Sequence, residues 1–170
     1  LDNGDFWYSE TPEVPGKGWD ATCCNRICSW AKFKDIKSQK EFFVFNSHYD
    51  HQGKVARKNS SLLLVKMIEQ IAGDNAVFAT GDFNATPDDE PIQTIYNTGK
   101  LNDSYLVTQE PPYGTEGTFN AFNPDAPSNS RIDYIWVTPD ITVKKYGVLN
   151  DRPYGRFPSD HFPVVIKATL

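Results

Sequence analysis

Apolar positions along this chain fall into short runs separated by polar, turn-forming stretches. Residues 27–33 and 42–45 are apolar and aromatic, joined by the polar link 34–40, which predicts a β-hairpin. Before them, residues 5–19 set Trp7, Tyr8 and Trp19 among Pro12, Pro15 and Gly16, the pattern of a strand end running into a structured loop. Between Lys54 and Ala72 the period changes. Leu64, Ile68 and Ile71 recur at helical spacing, and Gly73 supplies a stop. Residues 76–81 are strand-like again. Asp88-Asp89-Glu90-Pro91 then opens a short helix, with acids in its first turn and proline where no helical amide bond is lost. Residues 101–130 are rich in Pro, Gly and Asn and hold Tyr113, Phe119 and Phe122. Loops of that length in compact domains tend to carry binding. The runs 132–137, 141–146 and 164–168 complete a strand-rich ending. Taken alone, 42–81 reads as a βαβ unit of a doubly wound parallel sheet, but closing strands without helices between them argue for a mixed architecture.

The chemistry sits where these runs stop. Thr80-Gly81-Asp82-Phe83-Asn84 follows the apolar stretch 76–79, and positions two apart on an extended chain point the same way, so Asp82 and Asn84 present a carboxylate and a carboxamide side by side. An acid after a strand is usually a turn former. Here it recurs: Arg131-Ile132-Asp133-Tyr134 opens one apolar run and Ser159-Asp160-His161 precedes the last. Strand-end carboxylates with His48 and His161 available suggest a hydrolytic centre for a phosphate ester. Arg131 and Asp133 lie two apart and offer a bland alternative, a salt bridge with each other.

In their order along the chain, Asn46-Ser47-His48, Gly81-Asp82-Phe83-Asn84, Arg131-Ile132-Asp133-Tyr134 and Ser159-Asp160-His161-Phe162-Pro163 resemble the motifs of the endonuclease/exonuclease/phosphatase (DNase I-like) superfamily, its deadenylase and exonuclease branch above all. The resemblance implies an α/β (α+β) fold, a four-layer αββα sandwich of two mixed sheets flanked by helices. It implies a phosphodiester-cleaving nuclease using Mg²⁺, with Mn²⁺ as a substitute. The alternatives are a phosphatase on a soluble inositol or sugar phosphate, and a non-catalytic binding domain on the same scaffold. Asp160 matches a metal ligand. His161, held by Asp133, matches a proton-transfer group, whose pKa suits that task. Asp82 and Asn84 match residues that orient water, and His48 one that contacts the phosphate. Asn46 is placed to position His48, and Arg26 matches a substrate-facing arginine, a geometry suited to phosphate oxygens. Phe119, with Tyr113 and Phe122, offers rings for base stacking or for closing the core. Asp50, His51 and Arg57 fall near the same edge, with a plain Asp–Arg pair at the helix approach as the alternative. By the same resemblance, residues 1–170 are the C-terminal portion of a single domain, and an upstream segment would bring an Asn and a Glu toward the metal.

Composition narrows the partners. The 170 residues suit one domain, and a net charge of -5 disfavours a broad grip on nucleic acid, which needs Lys and Arg against phosphates. A small or single-stranded substrate and a monomer are expected. Cys23, Cys24 and Cys28 form no disulfide framework and lack zinc-site spacing, so buried free thiols are expected. No apolar run has membrane-spanning length. Neither a Gly-x-Ser-x-Gly elbow nor a P-loop is present.

Overall fold

The computed structural model describes residues 1–125, 129–152 and 155–170. Its elements are β1 (Asp2–Trp7), β2 (Ile27–Lys34), β3 (Glu41–His48), α1 (Lys54–Ala72), β4 (Ala76–Asp82), α2 (Glu90–Thr98), β5 (Asn102–Asp103), α3 (Ser104–Val107), β6 (Asp133–Val137), β7 (Thr142–Val148) and β8 (Val164–Thr169). The first sheet has six strands in the order β1-β2-β3-β4-β6-β5, and β7 and β8 pair as a second. The expected hairpin is β2–β3, antiparallel. Among the described strands of this sheet, β3 and β4 are the pair that runs parallel, joined by the α1 crossover. β6 then inserts antiparallel beside β4, which makes the sheet mixed rather than doubly wound.

Alternation along the strands produces two faces. Phe43, Phe45, Val77, Ala79, Tyr134 and Trp136 point toward α1 and join Leu64 and Ile68 in the main core. Phe42, Phe78 and Ile135 point the other way and pack with Ile141, Val143, Ile166 and Ala168 of the second sheet and its approach. Helices therefore cover one face of a large sheet and a smaller sheet covers part of the other. The fold is α/β with two packed sheets, although the second is an antiparallel pair rather than the mixed sheet expected.

Helix α1 buries Ala56, Ser60, Leu64, Ile68 and Ala72, a stripe at four-residue spacing. Its N-cap is Gly53, without a side chain, and the cap comes from a distance. Asp20 accepts the Ala56 and Val55 amides at 2.7 and 3.1 Å, placing a carboxylate at the positive end of the helix. Those amides hold the Asp20 carboxyl below its usual range.

Two expectations change. The stretch 101–130 is structured at its start, where β5 extends the sheet and α3 follows. Cys28 is a buried free thiol, and burial pushes its pKa up to about 11. Cys23 and Cys24, however, lie exposed, because β2 begins only at Ile27 and leaves them in the loop before it, and they are joined to each other.

Candidate active site

Strand register assembles the site. His48 ends β3, Asp82 ends β4 and Asp133 begins the antiparallel β6, and they stand as neighbours in one row, His48 opposite Asp82 and Asp82 opposite Asp133. Directly opposed residues share a face, with Cβ atoms about 5 Å apart. Gly81 permits this row. Its φ of 140° lies outside the range of L side chains, and a Cβ there would sit 1.9 Å from the Ser47 carbonyl oxygen.

A fourth group arrives from the C-terminal segment. Phe119 bridges to His161, and the Phe162 amide donates to the Thr118 carbonyl at 2.7 Å. Thr118 Oγ1 in turn accepts the amides of Ile132 and Asp133, each at 3.1 Å. One buried threonine thus ties the start of β6 to the segment carrying His161. Sequence reading missed it, since a threonine inside a loop carries no signal of such a role.

His161 Nδ1 lies 2.8 Å from Asp133 Oδ2, and its Nε2 lies 3.9 Å from Asp82 Oδ2. His48 Nε2 approaches the same Asp82 oxygen at 3.4 Å. The other oxygen, Oδ1, accepts the Asn84 amide at 2.8 Å. Asn84 takes a left-handed φ of 48°, and its Nδ2 donates to the Tyr49 carbonyl at 3.0 Å. Donor atoms of Asp82, Asp133 and His161 all lie within 4.8 Å of one another, close enough to share a cation. Asp160 stands outside that trio. Among the described residues its carboxylate meets Ser159 Oγ, at 3.5 Å, while its carbonyl anchors the Asn120 and Ala121 amides.

Electrostatics separates the two histidines. Burial opposes a charge on His161, but the hydrogen bond and charge of Asp133, with Asp82 and Asp160, outweigh it and raise its pKa. Burial together with the nearby Arg26 charge lowers that of His48, despite Asp82. Asp82 is raised by burial and by Asp133, against the Asn84 amide. The row therefore favours the charged ring at His161 and disfavours it at His48. Groups pushed apart in this way suit division of acid and base roles.

The remaining residues lie around this core. Arg26 Nη2 donates to His51 Nδ1 at 3.0 Å, and its Nε sits 3.8 Å from Asp50 Oδ2. Asp50 is buried and accepts the Gln52 and Gly53 amides at 2.9 and 2.6 Å, shaping the approach to α1. Arg57 donates to the Asp50 carbonyl at 3.1 Å, so the carboxylate has Arg26 as its cation instead. Asn46 shares the face of His48 and accepts from Thr80 Oγ1 at 3.0 Å, with no bond to the imidazole. Phe119 meets the His161 ring edge-on at 5.0 Å. Tyr113 is drawn away to β7, where it bridges Gly147. The bland pairing of Arg131 with Asp133 does not form. Arg131 donates to Asp103 at 2.6 Å, buried between the rings of Tyr105 and Tyr134, which leaves Asp133 to His161.

A shallow cleft of about 400 Å³ lies along Thr80, Asp82, Asp133, Phe162 and Pro163. A larger cavity of about 530 Å³, between Gly73, Leu101 and Pro139, lies at the opposite end of β4 and holds none of these groups.

Known proteins share this sequence and fold. A mannosyl-6-phosphatase of Bacteroides thetaiotaomicron superposes with a TM-score of 0.93 and 41% identity, over 100% of this chain and 66% of that one. Nocturnin of Drosophila melanogaster is 26% identical over 183 residues, covering 83% of this chain and 27% of its own. An uncharacterized protein of Acanthamoeba polyphaga mimivirus is 34% identical over 109 residues, covering 61% of this chain and 40% of its own. The chain thus spans about two thirds of the solved relative and well under half of the other two. The Endonuclease/Exonuclease/phosphatase family model matches residues 7–161, and the chain belongs to that family.

Proposed function

We propose that this protein is a divalent-metal-dependent phosphoesterase whose substrate is a small phosphate monoester of a sugar. The observation that carries the reaction class is the row His48, Asp82 and Asp133, closed by His161. Phosphate ester hydrolysis needs an oriented water, compensation of phosphoryl charge and a proton for the departing oxygen. Asp82, with its geometry fixed by the Asn84 amide, orients the water. His161, held by Asp133 and carrying a raised pKa, supplies or takes the proton. His48 and permanently charged Arg26 face the phosphoryl oxygens.

The donor set fits a hard cation, since carboxylate oxygens dominate it. Asp160 is the protein ligand we favour, because Asp133 and Asp82 already engage histidines while, among the described residues, the Asp160 carboxylate has one weak partner. A bound Mg²⁺ or Mn²⁺ would offset charge on the phosphate. In the full-length protein, Asp160→Ala should weaken Mg²⁺ binding measured by calorimetry at least tenfold, with the fold unchanged. An unchanged affinity, with loss instead in Asp82→Ala, moves the ion to Asp82, Asp133 and His161.

For the substrate, the mannosyl-6-phosphatase at 41% identity supports a sugar phosphate. So does the distribution of charge. Lys34, Lys37 and Lys40 sit at the β2–β3 turn, the far end of β3 from His48, and the net charge of -5 disfavours a broad grip on a polyanion. Nucleic-acid cleavage is the second reading, favoured by exposed Phe122 as a stacking surface. A panel of mannose 6-phosphate, an inositol phosphate, a dinucleotide, single-stranded RNA and duplex DNA decides between them. We expect turnover of the sugar phosphate, lowered by ~10²–10⁴ in His161→Ala or Asp82→Asn. Turnover of the polynucleotides alone overturns the monoester reading.

A further inference from the structure

Cys23 and Cys24 are adjacent in sequence, exposed, and joined to each other in the loop that leads into Arg26. The loop is pinned on both sides of them. Upstream, Thr22 Oγ1 donates to Gln52 Oε1, and the Thr22 carbonyl accepts Lys17 Nζ at 2.7 Å. Downstream, the Arg26 carbonyl accepts the Tyr8 amide at 2.8 Å, and Ile27 pairs with Trp7 as β2 begins. Both anchors bear on the same turn after β3, since the Arg26 side chain donates to His51 there. A disulfide between neighbours closes a small ring around their shared peptide bond. It removes backbone freedom just where the chain delivers the arginine.

The arginine stops short of its counter-ion. Arg26 Nε and Asp50 Oδ2 are both buried, and neither has a hydrogen-bond partner among the described residues. They stand 3.8 Å apart, about 1 Å beyond the ~2.8 Å of a charge-assisted hydrogen bond. Buried groups of opposite charge left unbonded gain from closing. Asp50 is fixed through its other oxygen by the Gln52 and Gly53 amides, so closure falls to the arginine. Burial and then the Arg26 charge lower the pKa of His48, so the guanidinium also bears on the row.

We propose that Cys23–Cys24 is a thiol–disulfide exchange site that sets the position of Arg26. As the disulfide, it holds the guanidinium short of Asp50 and available to phosphate. As the dithiol, the loop relaxes, Arg26 closes on Asp50, and the phosphate loses a cation. The idea rests on the reading that Arg26 faces the phosphoryl oxygens. The co-reactant is a small dithiol. One of its thiolates attacks an exposed sulfur, breaking the Cys23–Cys24 bond and forming a mixed disulfide, and its second thiolate then displaces the protein sulfur. The reductant leaves as a cyclic disulfide, having given two electrons and two protons to the cysteines.

The test uses the full-length protein with Mg²⁺, equilibrated with oxidised or reduced dithiothreitol. Mass spectrometry of the alkylated peptide carrying Cys23 and Cys24 reads the state of the pair, and calorimetry with inorganic phosphate reads the site without turnover. Reduction should weaken phosphate binding roughly tenfold, the scale of one charged contact. Cys23→Ser should bind as the reduced protein does in either buffer. Arg26→Ala should bind weakly in both, with no redox dependence. Equal phosphate affinity in the two wild-type states, or none, overturns the proposal, as does a pair that stays as free thiols in the oxidised buffer. Redox dependence that survives in Arg26→Ala overturns the coupling to Arg26. Hydrolysis of mannose 6-phosphate separates the two readings. Redox-dependent phosphate binding in a protein that hydrolyses no phosphate ester supports the switch and sinks the phosphatase reading. Normal hydrolysis with redox-independent phosphate binding does the reverse.

Discussion

Replacing Asp133 by Asn isolates the contact on which the proton-transfer proposal depends. The substitution keeps the shape of the side chain and the backbone bond from the Asp133 amide to Thr118. It removes the charge 2.8 Å from His161 Nδ1. A hydrogen bond to a charged group contributes about 1.5–3 kcal/mol. If the bond matters mainly while His161 carries the proton, that is ~10–150-fold in rate. Misorientation of the ring adds to this, bringing the expected fall in kcat toward ~10²–10⁴. The pKa of His161 should move downward, because burial, which already opposes the charged ring, loses its chief opponent. The sign for stability follows. A histidine whose folded pKa is raised stabilises the fold below its unfolded pKa, about 6.5, and that contribution is lost as pH rises through the folded value. The stability gap between wild type and Asp133→Asn should therefore be widest in mild acid and close on the alkaline side. NMR titration of the His161 ring, pH–rate profiles and urea denaturation at several pH values read these three quantities. An unshifted His161 titration with near-normal kcat would refute the reasoning.

Other outcomes follow from the scaffold around the row. Gly81→Ala should cost at least ~3 kcal/mol and abolish activity, since the added Cβ meets the Ser47 carbonyl oxygen at 1.9 Å in a conformation alanine rejects; a melting temperature within a degree of wild type would contradict this. Arg131→Met leaves the 1% exposed Asp103 without its cation and should destabilise by ~3–5 kcal/mol in urea melts. Adding Asp103→Leu should recover much of that loss, because no buried charge then remains, and failure to recover would show that the pair shapes the fold beyond its charge. Thr118→Val should lower kcat more than it lowers stability, as it frees the amides of Ile132 and Asp133 at the start of β6; an effect on stability alone would make Thr118 a packing residue.

Local periodicity sufficed for most elements. The apolar alternation in 27–33 and 42–45 marked β2 and β3, the helical spacing of Leu64 and Ile68 marked α1, and Gly73 ended it, because these signals depend only on near neighbours in the chain. The motif acids were legible for the same reason: each stands where an apolar run stops. What local pattern lacks is register. That His48, Asp82 and Asp133 share one row follows from parallel pairing of β3 with β4 and antiparallel pairing of β4 with β6, contacts between residues far apart in sequence. Arg131 shows the limit well. Two positions from Asp133, it offered the bland alternative of pairing with it, and only the fold brought Asp103 and two aromatic rings to claim it. Thr118 gave no sign at all, since its importance lies in bonds to residues 14 and 15 positions away. The chemical groups are thus written in the chain, while their partners, and with them their protonation, are decided by long-range packing.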